Sequence, residues 1–185
     1  GRNGRFHYDC KRRRGGGVME LPQEQIEVVV QSQYMTEQER EEFLKKFEQE
    51  RAHSLIGFCV MGGVFSEGID LTEDKLIGAM IIGTGLPQVC LERELLKYYF
   101  DRKNLNGFDY AYLYPGMNKV LQSAGRVIRT DQDRGVITLL DDRFMDRQCQ
   151  EVFPREWNDF QICNSENIEE KIAKFWKAEE QTDTK

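Results

Sequence analysis

The residues best suited to chemistry in this sequence are a glutamine and two arginines in the segment Gln122-Ser-Ala-Gly-Arg126-Val-Ile-Arg129. An α-helix turns about 100° per residue, so a helix through this segment places these three side chains on one narrow stripe. Each guanidinium can offer paired donors to anionic oxygens such as those of a polyphosphate. The alternative is the solvated face of an amphipathic helix. Gly125 favours the phosphate interpretation, because a glycine inside a helix costs about 1 kcal/mol and indicates that another group approaches closely.

A second segment runs from Gly62 through Ser66, Glu67 and Gly68 to Asp70, directly after a short apolar stretch. Glycines let backbone N–H groups approach phosphates without steric hindrance. The Asp70 carboxylate can accept a hydrogen bond from a ribose hydroxyl or orient an arginine. Taken alone, the segment is equally typical of an ordinary acidic loop.

The elements that must position these residues are short apolar strands that alternate with helices. A capping box at Thr36 and Glu39 predicts the first helix, and Asn164 or Ser165 is the predicted cap of the last one. The pattern predicts an α/β fold, a parallel sheet with helices on both faces. Ligand sites in such sheets lie beyond the carboxyl ends of the strands, where we expect both segments. The predicted strands cover residues 26–30, 55–61, 76–82, 110–114 and 135–140, and one predicted helix covers residues 117–129.

Charge is distributed unevenly along the 185 residues. The net charge is -6, but residues 1–17 contain six basic residues against one acidic residue, +5, which leaves -11 for the remainder. We interpret residues 1–17 as a disordered linker or expression-derived segment, or alternatively as a phosphate-binding tail. Residues 18–163 form the predicted main domain, and residues 164–185 a C-terminal helix that packs on it. No apolar run is long enough to cross a bilayer, so we expect a cytoplasmic protein without a membrane partner.

Cysteines, histidines and aromatic residues have simple structural interpretations. The five cysteines form no Cys-x-x-Cys pair and there are only two histidines, so we expect no metal site in this chain. Cys59 and Cys90 are predicted to be small buried residues. One group of aromatic residues could stack on nucleic-acid bases, but core packing is favoured because aromatics dominate core burial. This group contains Tyr98, Tyr99, Phe100, Phe108, Tyr110, Tyr112 and Tyr114.

Three segments in this order, GGVFSEGIDL, QSAGRVIRTDQDRG and LLDDRF, closely resemble the second RecA-like domain of superfamily 2 DNA helicases of the XPD/DinG branch. The resemblance covers roughly residues 26–153. It implies that Arg126 and Arg129 reach across a cleft to the phosphates of ATP and that Gln122 contacts the same phosphate region.

The resemblance also assigns roles to the glycine-rich segment. It implies that Gly68 and Asp70 border the nucleotide and that Ser66 and Glu67 connect this border to the nucleic-acid strand. The turn Asp141-Asp142-Arg143 would brace the protein near the cleft.

The sequence contains no G-x-x-x-x-G-K-[ST] loop and no Asp-Glu-Ala-His-type box. The resemblance therefore implies that ATP and Mg²⁺ are held mostly by an N-terminal RecA-like domain of the same polypeptide, which can also contain an iron–sulfur cluster. The implied substrate is single-stranded or forked DNA, translocated 5′ to 3′, with no activity from this chain alone. Two alternatives stay open: a binding or regulatory module without motor activity, and an RNA-directed superfamily 2 ATPase.

Overall fold

The structure is a computed structural model that describes residues 26–67, 76–128 and 133–180. It contains two compact units, whose described parts are residues 26–152 and 153–180. The first unit contains β1 (Ile26–Val30), α1 (Glu37–Glu48), β2 (Ser54–Phe58), α2 (Val64–Glu67), β3 (Gly78–Ile82), α3 (Leu91–Asp101), a π-helix (Asp109–Leu113), α4 (Tyr114–Ala124), β4 (Val136–Leu140), a 3₁₀-helix (Asp142–Met145) and α5 (Arg147–Gln150). The second contains a 3₁₀-helix (Arg155–Trp157) and α6 (Ile168–Glu180).

The strands pair in parallel, as the sequence predicted. β1 pairs with β2, and Val28 lies opposite Ile56. β3 pairs with β4, and Met80 lies opposite Thr138. Two parallel strands must be joined by a crossover connection, and in each pair here that connection contains helices. The α/β fold class is therefore confirmed, with the described strands arranged as two two-stranded sheets.

The predicted capping box begins α1, which covers the first sheet. The Thr36 hydroxyl accepts from the N–H of Glu39, and the Glu39 carboxylate accepts from the N–H of Thr36 at 2.7 Å. On the inner face of the helix, Phe43 stacks on Phe65 of α2 with ring centroids 4.4 Å apart. Val29 of β1 completes this buried cluster. The start of the glycine-rich segment is thus anchored in a hydrophobic core.

The prediction of a strand at residues 110–114 is wrong, because this segment is a π-helix that continues into α4. Pro115 has no N–H to donate, so the carbonyl of Ala111, four residues earlier, lacks its helical partner. Arg93 of α3 replaces the missing donor, with Nη1 2.7 Å from that carbonyl oxygen. Alternating aromatic residues suggested a strand, but the Tyr110 ring stacks on Phe100 of α3 at 4.1 Å.

The predicted helix over residues 117–129 is too long. α4 ends at Ala124, and Gly125 forms its C-cap with an N–H that donates to the carbonyl of Leu121. Val127 follows in a turn and is buried, whereas Ile128 is exposed. The sequence pattern located the helix but not the residue at which it ends.

The predicted burial of Cys59 and Cys90 is also wrong, because both lie in exposed loop positions. Cys59 directly follows β2 and Cys90 directly precedes α3. Their apolar neighbours in sequence belong to strand and helix ends whose side chains also reach the surface, such as Phe58 and Leu91. Cys149 on α5 is buried.

The second unit confirms the predicted cap of the last helix. Before α6, the Asn164 side chain accepts from the N–H groups of Glu166 and Asn167. The Phe153 and Trp157 rings are in edge contact at 5.3 Å. Across both units, no helix within the described residues is long and apolar enough to span a membrane.

Candidate functional site

The two segments singled out in the sequence lie against each other in the first unit. The loop after β2 turns at Gly62, which has a positive φ of 73°. A Cβ at this position would lie 3.0 Å from Cδ of Lys119 on α4. The short helix α2 that follows also contacts α4. The glycine-rich segment therefore packs beside the helix that carries Gln122.

The amino end of α4 packs flush against the loop that follows β3. A Cβ on Gly116 would lie 2.6 Å from the Thr84 carbonyl oxygen and 3.1 Å from the Leu86 nitrogen. On the other side, Gly85 has a positive φ of 64°, and a Cβ there would lie 2.8 Å from the Gly116 carbonyl oxygen. The two backbones thus touch with no room for a side chain, which fixes the start of α4 at the carboxyl end of β3.

The carboxyl end of α4 lies at the opposite edge of the second sheet. Val127 packs so closely on Gly135 that a Cβ at this glycine would meet Cγ1 of Val127 at 2.2 Å. Gly135 directly precedes β4, so Arg126 lies near the amino ends of β3 and β4. The expectation that both segments lie at the carboxyl ends is therefore wrong for Arg126. The physical reason is that a crossover helix runs antiparallel to its strands.

Gln122 and Arg126 are the two described residues of the predicted group, and they do not lie on one face of a helix. Gln122 is exposed on the last turn of α4, whereas Arg126 is half-buried in the turn after the helix. The Arg126 N–H donates to the Ser123 carbonyl at 3.3 Å, a tighter turn than an α-helix makes. Arg129 lies outside the described residues. Arg126 is set at the negative end of the α4 dipole, which favours a cation there.

The glycine-rich segment is only partly described. Ser66 and Glu67 form the end of α2. Gly68 and Asp70 lie outside the described residues. The helix that contains Ser66 and Glu67 contacts α4.

The turn after β4 is held by an ion pair within itself. The Asp141 carboxylate accepts from Nε of Arg143 at 2.8 Å, from Nη2 at 2.7 Å and from the Arg143 N–H at 2.9 Å. These hydrogen bonds lower the pKa of Asp141 to about 2. Gly83 at the end of β3 donates its N–H to the Leu140 carbonyl, so this turn lies beside the loop that receives α4.

Two residues that the sequence did not single out belong to this region. The Lys119 stem lies on the Gly62 turn. Thr84 is 2% exposed, and its Oγ1 has no hydrogen-bond partner among the described residues. A lysine on a helix is usually a solvated charge and a threonine between glycines is usually a loop residue, so sequence spacing offered no signal for either. Within the described ranges, no group of three or more His, Cys, Asp and Glu side chains could hold a metal ion.

The parallel strand pairs and their crossover helices resemble the fold of a known helicase. The solved structure of an XPD helicase is similar, with a TM-score of 0.51 and 21% identity over 67% of this chain and 22% of that chain, a likeness that concerns the fold. The family model described as helicase C-terminal domain matches residues 13–160. The chain belongs to this family, as a C-terminal domain of an XPD/DinG-type superfamily 2 helicase.

Curated relatives agree with this assignment. A regulator of telomere elongation helicase 1 homolog from Caenorhabditis briggsae is 32% identical over 136 residues. The ATP-dependent DNA helicase DinG from Photobacterium profundum is 36% identical over 88 residues. These matches cover 68% and 46% of this chain, but only 14% and 13% of the two relatives.

Proposed function

We propose that this chain is the C-terminal motor domain of an ATP-dependent DNA helicase that moves 5′ to 3′ along one strand. It would supply Arg126 and Arg129 to an ATP site shared with an N-terminal RecA-like domain of the same polypeptide. That domain would hold ATP and most of the Mg²⁺ ligands. Membership of the helicase C-terminal domain family supports the motor role, and the names of the relatives support ATP and DNA as ligands.

The observation that carries the proposal is the placement of Arg126. It follows a helix whose amino end is locked at Gly116 and whose carboxyl end is locked by Val127 against Gly135. The backbone that carries Arg126 therefore keeps its position when a partner domain approaches. An arginine directed at developing phosphoryl charge accelerates nucleotide hydrolysis by about 10³- to 10⁵-fold.

Helix α4 also connects the proposed nucleotide site to the proposed nucleic-acid site. Lys119 lies at the glycine-rich turn and Arg126 seven residues further along, a rise of about 10 Å. We assign the Lys119 side, with Ser66 and Glu67, to the nucleic-acid strand, and the Arg126 side, with Gln122, to the nucleotide. Gly68 and Asp70 would border the nucleotide between them.

A mechanism follows from this division. Arg126 gains its phosphate contacts only when the two domains are closed on ATP, so ATP binding favours closure and hydrolysis releases it. Because α4 is fixed at both ends, closure at the Arg126 end moves the Lys119 end with it. A strand held at that end through its backbone is carried along in steps.

The test compares this chain with the complete polypeptide in an ATP-turnover assay. We expect no turnover from the purified 185 residues and turnover stimulated by single-stranded DNA from the complete polypeptide. Unwinding of forked DNA should require a 5′ tail. Robust turnover by the 185 residues alone would contradict the proposal. Stimulation by RNA but not DNA would favour the RNA-directed alternative, and an inactive complete polypeptide would favour the regulatory module.

A further inference from the structure

The carboxyl end of α3 carries an exposed group of two aromatic and two basic residues, called here the tyrosine patch: Tyr98, Tyr99, Arg102 and Lys103. Core packing was the expected role of the two tyrosines, but the structure leaves their side chains 59% and 50% exposed. The four residues line an open groove of about 360 Å³. Tyr112 of the same predicted aromatic group is buried as expected, whereas Phe108 and Tyr114 are 41% and 37% exposed, less than the two tyrosines of the patch.

Each ring in the tyrosine patch has a cation over it. The Arg102 guanidinium carbon lies 5.8 Å from the centroid of the Tyr98 ring, and Nζ of Lys103 lies 4.5 Å from the centroid of the Tyr99 ring. Neither cation forms an ion pair with a carboxylate in the described part of the chain. Cation–π contacts at exposed sites are weak, so a ligand that stacks on a ring can displace the cation.

The support beneath the patch is rigid. The Tyr99 ring rests edge-on against Phe100, whose other contact is the Tyr110 ring stacked at 4.1 Å. The end of the helix is closed by Asn104 at a φ of 58°. Asp101 accepts from the Gly107 N–H at 2.8 Å and pairs with Lys97, so its charge is already engaged. The Tyr99 ring therefore rests on packed aromatic residues, and the patch carries two positive charges in a chain of net charge -6.

We infer that the tyrosine patch is a binding site for single-stranded DNA, separate from the α2 and Lys119 side of α4. Bases stack on Tyr98 and Tyr99, and Arg102 and Lys103 contact the phosphates between them. Exposed aromatic rings interleaved with basic side chains are how single strands are held without sequence preference. The ligand class rests on the proposed function, since a helicase domain has a strand to hold.

The alternative ligand of the tyrosine patch is a protein, because the exposed Leu91 and Leu95 extend an apolar face along the same helix. These residues lie one to two turns before the patch, near Glu92. The amino end of α3 carries Glu92 and Glu94 against one arginine. Beyond the Lys97–Asp101 ion pair, the charges at the carboxyl end are the two cations of the patch. The local charge therefore favours the polyanion at this end.

The test measures binding of a labelled oligothymidylate of about 15 nucleotides to the 185-residue chain by fluorescence anisotropy, without ATP. We expect the Tyr98→Ala/Tyr99→Ala variant to bind about tenfold more weakly or worse, because each lost stack weakens binding at least several-fold. Tyr98→Phe/Tyr99→Phe, which keeps both rings, should bind like the parent chain. Tyr34→Ala is the matched control, since Tyr34 is 84% exposed outside the patch and should not affect binding.

Two further measurements separate stacking from general charge attraction and do not depend on the alanine variant being folded. An abasic strand of equal length should bind the parent chain more weakly than oligothymidylate does. Arg102→Gln/Lys103→Gln should reduce the slope of log affinity against log salt by about 1.4, at about 0.7 per phosphate contact.

The inference is overturned if oligothymidylate does not bind, or if a folded alanine variant binds as tightly as the Tyr34→Ala control. Equal binding of the abasic strand would also overturn it. A surface used by a protein partner would give either of the first two results. Because no nucleotide is present, these outcomes are independent of whether Arg126 acts on ATP.

Discussion

Two glycines at opposite ends of α4 should respond to the same substitution with opposite signs. Gly116→Ala places a methyl group 2.6 Å from the Thr84 carbonyl oxygen and 3.1 Å from the Leu86 nitrogen. Both neighbours are backbone atoms that cannot rotate away. Overpacking of this kind costs about 1–3 kcal/mol, whereas replacing glycine by alanine in a helix stabilises by about 1 kcal/mol. Because both neighbours are backbone atoms, we expect the upper part of this cost, about 2–3 kcal/mol, and a net loss of about 1–2 kcal/mol after the helix gain.

Gly125→Ala is the matched control in the same helix. Gly125 has a φ of -65°, and its Cβ would meet only carbonyl oxygens of the preceding turn, the nearest of them that of Leu121 at 3.3 Å. We expect a gain of about 0.4–1 kcal/mol, because alanine adopts this φ without strain and loses less conformational freedom on folding than glycine does. Urea unfolding followed by far-ultraviolet circular dichroism measures both free energies of unfolding. If Gly116→Ala were as stable as the parent chain, the flush packing of α4 on the β3 loop would be refuted.

Two predictions concern polar contacts that hold the same unit together. Arg93→Ala leaves the buried Ala111 carbonyl without its donor and should lower the free energy of unfolding by about 1–3 kcal/mol, and an unchanged urea midpoint would show that another donor replaces it. Asp141→Asn should make the free energy of unfolding depend less on pH in the acidic range. The pKa of Asp141 is lowered to about 2 by Arg143, so its contribution is complete above the unfolded value of about 3.9 and is lost as the pH falls toward 2. Unfolding measured from pH 6 to pH 2 should therefore decline less in the variant, and identical slopes would contradict this assignment.

The parts of the fold that depend on local sequence could be predicted. The parallel strand pairs followed from short apolar runs separated by helices, and the start of α1 followed from the reciprocal hydrogen bonds that Thr36 and Glu39 can form. Asn164 was likewise recognisable as a cap. Each of these features is decided by residues within a few positions of one another.

The errors arose where a distant residue decides the structure. The π-helix at residues 109–113 is compatible with Pro115 because Arg93, which lies 18 positions before Ala111, supplies a donor to the freed carbonyl. The position of Arg126 at the amino edge of the sheet depends on Val127 packing against Gly135. Tyr98 and Tyr99 were expected in the core because burial depends on which helix face meets the sheet, and residue types alone do not specify it.

The order of the sequence motifs predicted which segments form the site. The roles of the individual residues in that site stay predictions. The structure brings the glycine-rich turn beside α4, which the sequence could not specify because the two segments are more than 50 residues apart. It also adds Lys119 to the region.

The central claim is that Arg126 acts on ATP that another domain holds. The most direct measurement is the DNA-stimulated kcat of the complete polypeptide with Arg126→Ala, compared with Arg147→Ala, a control arginine whose side chain is 91% exposed. We predict that kcat falls by about 10³-fold or more for Arg126→Ala, while this domain still unfolds in one cooperative transition. The Arg147→Ala control should turn over ATP normally. Turnover within a few-fold of the parent for Arg126→Ala would contradict the account.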